Sequence, residues 1–355
     1  MPGRVRPGRY GSRNRTPIAL LRAGLHEKDA GNPFPGDGIG SMRENDRKMK
    51  QGDRLLKMQG KFDRGPVDFK SHIVAREGEV MAIATKNVVS VPLTKSILGA
   101  VETMTKCGFR RLPVTDAGTG KLRGIVTSGD IINFMGGGDK ARLIEVKHGG
   151  NFLAAVNESV RTIMTQQPET VPETAKVDEA VEIILTKKIG GIPVTNAEGV
   201  LAGIITERDV MRALVSEKCD LSVEDVMSTG LRVTSPETPI CMVTKEMTSH
   251  RFRRLPVVAE DVLFGIITTT DVMKYLGTGE IFRRLVTGDM AEVMGLPVRT
   301  LISGNQLMTT SPEKTVHDVA RQMLDHGVGA LPVIEDSRLI GLVTEFDLVK
   351  AFARK

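Results

Sequence analysis

Four times in this 355-residue chain a threonine is followed three positions later by an aspartate, each time after a glycine-containing apolar run: Thr127 and Asp130, Thr206 and Asp209, Thr268 and Asp271, Thr344 and Asp347. A threonine at a helix start with an acid three residues on is a capping box, which satisfies free backbone N–H groups without any ligand. Capping boxes favour Glu or Gln at the third position, and here every acid is the shorter Asp. A short carboxylate can accept two hydrogen bonds from neighbouring ribose hydroxyls, while the threonine hydroxyl and the free N–H groups of the helix suit a phosphate. The two roles, cap and nucleoside contact, are compatible.

Tandem arginines add a second chemistry. Arg110-Arg111 and Arg253-Arg254 stand in two copies of Phe-Arg-Arg-Leu-Pro-Val, at 109–114 and 252–257. A guanidinium is a planar fork of donors matched to phosphate oxygens; the alternative is an arginine pair on a solvated face or in surface ion pairs. Arg208, inside the second Thr-x-x-Asp, is a further candidate phosphate donor. Catalytic signatures are lacking: there is no Gly-x-Ser-x-Gly, no G-x-x-x-x-G-K-[ST], no His-Glu-x-x-His, and the six histidines are scattered. Cys107, Cys219 and Cys241 form no C-x-x-C pair, which argues for a reducing compartment and against disulfide or zinc frameworks, so no metal is expected.

The elements that must position these residues repeat with them. Each Thr-x-x-Asp follows a hydrophobic-Pro-Val triplet, at Pro113, Pro193, Pro256 and Pro332, with its Asp 17, 16, 15 and 15 residues after the proline. In the second copy, Thr170-Val171 reads as a strand fragment. Apolar residues at Val177, Ala180, Val181, Ile184 and Leu185 predict a helix to Lys187, ended by Gly190-Gly191. Two strands, 192–195 and 200–206, flank an Asn196-Ala-Glu-Gly199 turn, and a second helix runs from Glu207 to about Leu214. The result is an α/β (α+β) unit of order β-α-β-β-α, too small to be stable alone. Copies one and three share the Arg-Arg version; copies two and four have Ile189-Gly-Gly-Ile-Pro193 and Val328-Gly-Ala-Leu-Pro332. Such alternation predicts a two-repeat module that was itself duplicated, with an approximate twofold axis and corresponding connectors at 135–160 and 276–300.

On these residues the stretch from about 80 to 355 resembles the CBS-domain (cystathionine-β-synthase domain) family. The resemblance implies four CBS repeats in two Bateman modules, residues 76–215 and 216–355, after an N-terminal arm and linker at 1–75. Family members bind adenosine-containing ligands in clefts between paired domains; the regulatory γ-subunit of AMP-activated kinase, where basic residues near the same strand contact phosphate, is one member. It further implies nucleotide contacts from the four Asp and four Thr above and from Arg110, Arg111, Arg208, Arg253 and Arg254. Adenine-edge contacts carry over to Ser90, Thr170, Thr234 and Thr310. The arginines favour AMP, ADP or ATP over S-adenosylmethionine, whose sulfonium is positive. Repeat one lacks the helix-opening signature at 81–91 seen at 160–164 and 223–227, and repeat four is interrupted at 301–304, so not every cleft need bind.

The chain's formal charge of +6 sits on its first 25 residues, which carry Arg4, Arg6, Arg9, Arg13, Arg15 and Arg22 and no Lys, Asp or Glu; the remaining basic residues equal the 43 acidic ones in number. Arginine interspersed with Gly, Pro, Ser and Asn cannot bury enough apolar surface to offset chain ordering, so the arm is expected to be extended, with a helix inside the linker starting at a Ser41/Glu44 capping pattern. It is either a solvated extension or a tail that follows phosphates, with Tyr10 stacking on a base. No apolar run approaches a membrane span and no signal peptide is evident, so a cytoplasmic location is expected. Two functions are therefore expected: a non-enzymatic adenosine-nucleotide sensor that regulates a partner protein, or an RNA- or ribosome-directed factor whose arm contacts RNA while the body senses nucleotide. The expected partners are an adenosine-containing ligand, a regulated protein, RNA through the arm, and a second copy of the chain.

Overall fold

The computed structural model describes residues 80–217, 219–260, 262–302 and 307–353; the arm, its arginines, Tyr10 and the Ser41 helix lie outside them. After a single helical turn, α1 (Val80–Ile83), the four units follow in order. The first comprises β1 (Val91–Pro92), α2 (Ile97–Cys107), β2 (Arg111–Thr115), β3 (Leu122–Thr127) and α3 (Ser128–Ile132). After β4 (Thr165–Gln166), the second comprises β5 (Val171–Pro172), α4 (Val177–Lys187), β6 (Gly191–Thr195), β7 (Leu201–Thr206) and α5 (Glu207–Leu214). The third has α6 (Ile240–Ser249), β8 (Arg254–Ala259), β9 (Val262–Thr268) and α7 (Thr269–Gly277); the fourth has α8 (Val316–Asp325), β10 (Ala330–Glu335), β11 (Arg338–Thr344) and α9 (Glu345–Phe352). In the last two units the opening strand is reduced to single parallel bridges, Thr234 to Val257 and Thr310 to Val333.

The hydrophobic-Pro-Val triplet starts an antiparallel hairpin in every unit, and each hairpin carries a register shift one or two residues past the proline, as between Val114 and Thr115. The helix over 177–187 matches its apolar spacing, but glycine does not end it: Lys188 does, in the left-handed region at φ 54°. Gly190 and Gly191 lie beyond the helix, where they leave room for side chains of other units.

Units pair by exchanging lead-in segments. Thr165 of β4 pairs with Ile125 in unit one, whereas Thr85, before unit one, bridges to Ile204 in unit two. Ser228, before unit three, bridges to Leu342 in unit four, and Ile302, before unit four, abuts Gly265 in unit three. These exchanges tie one to two and three to four.

The apolar cores run across that pairing. One joins Ile97, Met104, Leu112 and Phe134 of unit one to Ile240, Leu255, Met273 and Leu276 of unit three; the other joins Ile184, Ile192 and Met211 of unit two to Val319, Leu331 and Val349 of unit four. Close approach is secured by two matching contacts: Thr105 of α2 lies against Gly277 at the end of α7, and Thr248 of α6 lies against Gly137 just after α3. Among the described residues no helix is long and apolar enough to cross a membrane.

Candidate functional site

Each of the four Thr-x-x-Asp segments marks a strand turning into a helix. Thr127, Thr206, Thr268 and Thr344 are N-caps in extended conformation, with φ between −128° and −123°. In all four, the threonine N–H and hydroxyl donate to the same aspartate oxygen, Oδ2, at 2.6–2.9 Å. The cap is therefore present everywhere and uses one carboxylate oxygen, leaving Oδ1 for other partners. Lys140 takes Oδ1 of Asp130; Arg212 approaches Oδ1 of Asp209 at 3.4 Å from an exposed side chain. At Asp347 burial, outweighing the hydrogen bonds from Thr344, raises the pKa from 3.8 to about 6.

That shift has a sign in stability. The folded chain holds the Asp347 proton more tightly than the unfolded chain, so the contribution is fully present below pH 3.8 and is lost as pH rises through about 6. Asp347→Asn keeps an acceptor for the cap and removes the titration. Its unfolding free energy, relative to the parent protein, is expected to improve between pH 4 and pH 7; an unchanged difference in urea titrations at the two pH values would contradict this.

The tandem arginines meet between the units. Glu345, 1% exposed, accepts from Arg110 Nη2 at 2.8 Å and Arg208 Nε at 2.6 Å. Glu207, 2% exposed, accepts from both terminal nitrogens of Arg253, with Nη1 to Oε2 at 2.9 Å. The pairs Arg110–Glu345 and Arg253–Glu207 are twofold counterparts, each linking one module to the other. At the same position after the capping threonine, units one and three carry Ser128 and Thr269, whose buried hydroxyls bond to each other at 2.8 Å. Arg208 also donates to the Gly327 carbonyl at 3.1 Å, and its counterpart Phe346 cannot, so the symmetry breaks there.

Among the described residues, no carboxylate is paired with Arg111 or Arg254. Burial, reinforced by the neighbouring Arg253 and Arg110 and only partly opposed by Glu207, lowers the Arg111 pKa to about 10. Burial, with Arg110 and Arg253 adding to it, does the same at Arg254. At Arg110 burial is outweighed by Glu345 and the net shift is upward; at Glu345 the two arginines outweigh burial and hold the carboxyl below its ordinary range. Glycines make the cluster possible: a Cβ on Gly190 would stand 2.3 Å from Arg111 Nη2 and 2.6 Å from Arg253 Nη1, and one on Gly329 would stand 3.0 Å from Arg110 Nη1.

These side chains line a cavity of about 520 Å³ that runs from Thr85 and Ile204, past Thr206 and Asp209, to the arginines and Lys274. Of the residues singled out from sequence, it gathers Thr206, Asp209, Thr268, Arg208 and all four tandem arginines. Asp130, Asp271, Asp347, Thr127 and Thr344 stand outside its lining. So do Ser90, bonded to Thr115 at 3.1 Å; Thr170, exposed; Thr234, in its bridge; and Thr310, whose buried hydroxyl has no hydrogen-bond partner among the described residues. Glu207 and Glu345 escaped the sequence reading. The signal was an alternation, Ser, Glu, Thr, Glu, after the four threonines, in step with the Arg-Arg and Gly versions of the strand.

Residues 79–137, 160–216, 223–278 and 298–354 each match one family pattern, that of the CBS domain. The chain belongs to the CBS domain family. Over 278 residues it is 42% identical to protein MJ1225 of Methanocaldococcus jannaschii, covering 77% of this chain and 99% of that protein. The crystal structure of MJ1225, a candidate archaeal homologue of g-AMPK, aligns with a TM-score of 0.74 at 41% identity over the same shares of the two chains. A 33.4 kDa protein in the ribosomal RNA operon of Thermofilum pendens is 27% identical over 264 residues, 74% of this chain and 87% of its own length. Homoserine O-acetyltransferase of Methanococcoides burtonii is 34% identical over 128 residues, 36% of this chain and 25% of the enzyme. Every CBS match closes on the helix that follows Thr-x-x-Asp. The stretches 138–159 and 279–297, between paired CBS repeats, lie outside the matches.

Proposed function

We propose that this four-repeat CBS protein is a non-catalytic regulator that binds an adenine nucleotide, AMP, ADP or ATP, in the cleft faced by Asp209 and transmits its state to a partner protein. The observation that carries the reading is one cavity holding both a helix-start carboxylate with an oxygen to spare and an arginine cluster in positive excess. Its volume suits a small-molecule pocket. Asp209 would accept from the ribose hydroxyls, and Arg111 and Arg254, paired with no carboxylate among the described residues, would donate to phosphate. Five arginines against Glu207 and Glu345 leave a charge that attracts phosphate and repels a sulfonium. The likeness to MJ1225, and through it to g-AMPK, supports the same class.

Calorimetry with adenosine, AMP, ADP and ATP tests it. Asp209→Ala is expected to weaken nucleotide binding by about 1.5–3 kcal/mol, roughly tenfold or more in affinity. Arg111→Ala should weaken ATP more than adenosine. Unchanged affinity in Asp209→Ala would return the motif to a capping role, and equal effects of Arg111→Ala on ATP and adenosine would remove the phosphate assignment.

A further inference from the structure

We propose that Lys140 determines which CBS clefts of this chain can take ligand, its ammonium occupying the repeat-one cleft as an internal substitute. The inference rests on the reading above of the aspartates as ribose acceptors. With Oδ2 of Asp130 used in the cap, Oδ1 is the oxygen left for another partner, and the Lys140 ammonium donates to it. The same ammonium donates to the backbone carbonyl of Ile163, two residues before β4. It therefore spans the gap between the helix start of repeat one and the lead-in segment that closes that repeat's sheet.

Repeat two has the same construction without the plug. There the lead-in segment is Thr85, bridged to Ile204 as Thr165 is paired to Ile125, and the space between it and Asp209 is the open cavity. Arg212, the cation near Asp209, lies at 3.4 Å with a side chain 64% exposed, so water can replace its carboxylate contact. Lys140 is delivered differently. Its backbone N–H is fixed by Asn133 Oδ1 at 2.8 Å, and Gly138 lets the connector close on that asparagine, where a Cβ would stand 2.9 Å from the same oxygen. Asp130 and Asp271 are 141 residues apart, and the residue 141 past Lys140 is Ile281, wholly buried in the core. The connector of the second module thus has a buried apolar residue at the position of Lys140. A ligand entering at Asp130 must displace an ammonium that makes two hydrogen bonds, one of them charge-assisted on both sides, whereas a ligand entering at Asp209 displaces only the long contact of the exposed Arg212.

Two measurements on the full-length protein test this. Without ligand, acetylation mapped by mass spectrometry should modify Lys140 at least roughly tenfold more slowly than the exposed Lys106 and Lys188, and Asp130→Asn should release it, because the charge-assisted contact is lost. With AMP in equilibrium dialysis, Asp130→Asn should leave binding unchanged. Lys140→Met should add one site per chain, and Lys140→Met combined with Asp130→Asn should remove that site again. Labelling of Lys140 at the rate of Lys106, weakened AMP binding in Asp130→Asn alone, or an unchanged stoichiometry in Lys140→Met would overturn the proposal. If no adenine nucleotide binds any form, the nucleotide reading fails, and the labelling still decides whether Lys140 fills the cleft.

Discussion

Glu345→Ala is expected to lower the free energy of unfolding by about 3 kcal/mol, the lower end of what removing one partner of a buried ion pair costs. Two guanidiniums, Arg110 and Arg208, would lose their carboxylate at once, but each is 29% exposed at the side chain and recovers part of its hydration. Glu207→Ala strands only Arg253, 35% exposed, and should cost less. Both variants should bind ATP more tightly than the parent, because the arginine cluster loses one of its two negative charges. Chemical denaturation and calorimetry on the same samples separate the effects. Unchanged stability in Glu345→Ala would mean that water serves the two arginines as well as the carboxylate does.

Gly137→Ala should be as damaging by a different route. Its Cβ would stand 2.4 Å from Thr248 Oγ1 and 2.8 Å from the carbonyl oxygens of Ile132 and Thr244. A side chain can rotate aside, but two of these three obstacles are backbone, so α6 must move off repeat one. Overpacking of this kind costs about 1–3 kcal/mol, and the upper figure is expected here. Gly118→Ala, whose nearest neighbour would lie at 3.7 Å, is the near-neutral control. Thr248→Ala added to Gly137→Ala should recover only part of the loss, since the two carbonyls remain; full recovery would show that the threonine alone sets the fit.

The sequence spoke clearly wherever one unit decides its own structure. The spacing of Val177, Ala180, Val181, Ile184 and Leu185 delimited α4 to the residue, and the four hairpins follow their Pro-Val triplets. It was silent where one unit answers another. Gly190-Gly191 looked like a helix stop because glycine ends helices, yet the stop is Lys188 and the glycines make space for arginines of units one and three. Glu207 and Glu345 stand in first helical turns, where an acid is favourable whether or not it has a partner. Only the assembled fold shows each of them holding an arginine from the other module. Lys140 sits in a connector with no motif, and its meaning depends on where Asp130 and Ile163 come to lie.

Because each apolar core takes one unit from either module, the order of synthesis matters. The core built on Val91 also needs Leu301, and the one built on Val80 also needs Ala353. A nascent chain that has emerged only through repeat two has paired its lead-in segments but has covered neither helical face. Those faces stay open to chaperones, or to another unfinished copy, until the second half arrives. Contacts so distant in sequence make a high contact order, hence slow folding and a long exposure to aggregation. The twofold plan that brings the arginines together makes the first module dependent on residues as far along the chain as Ala353.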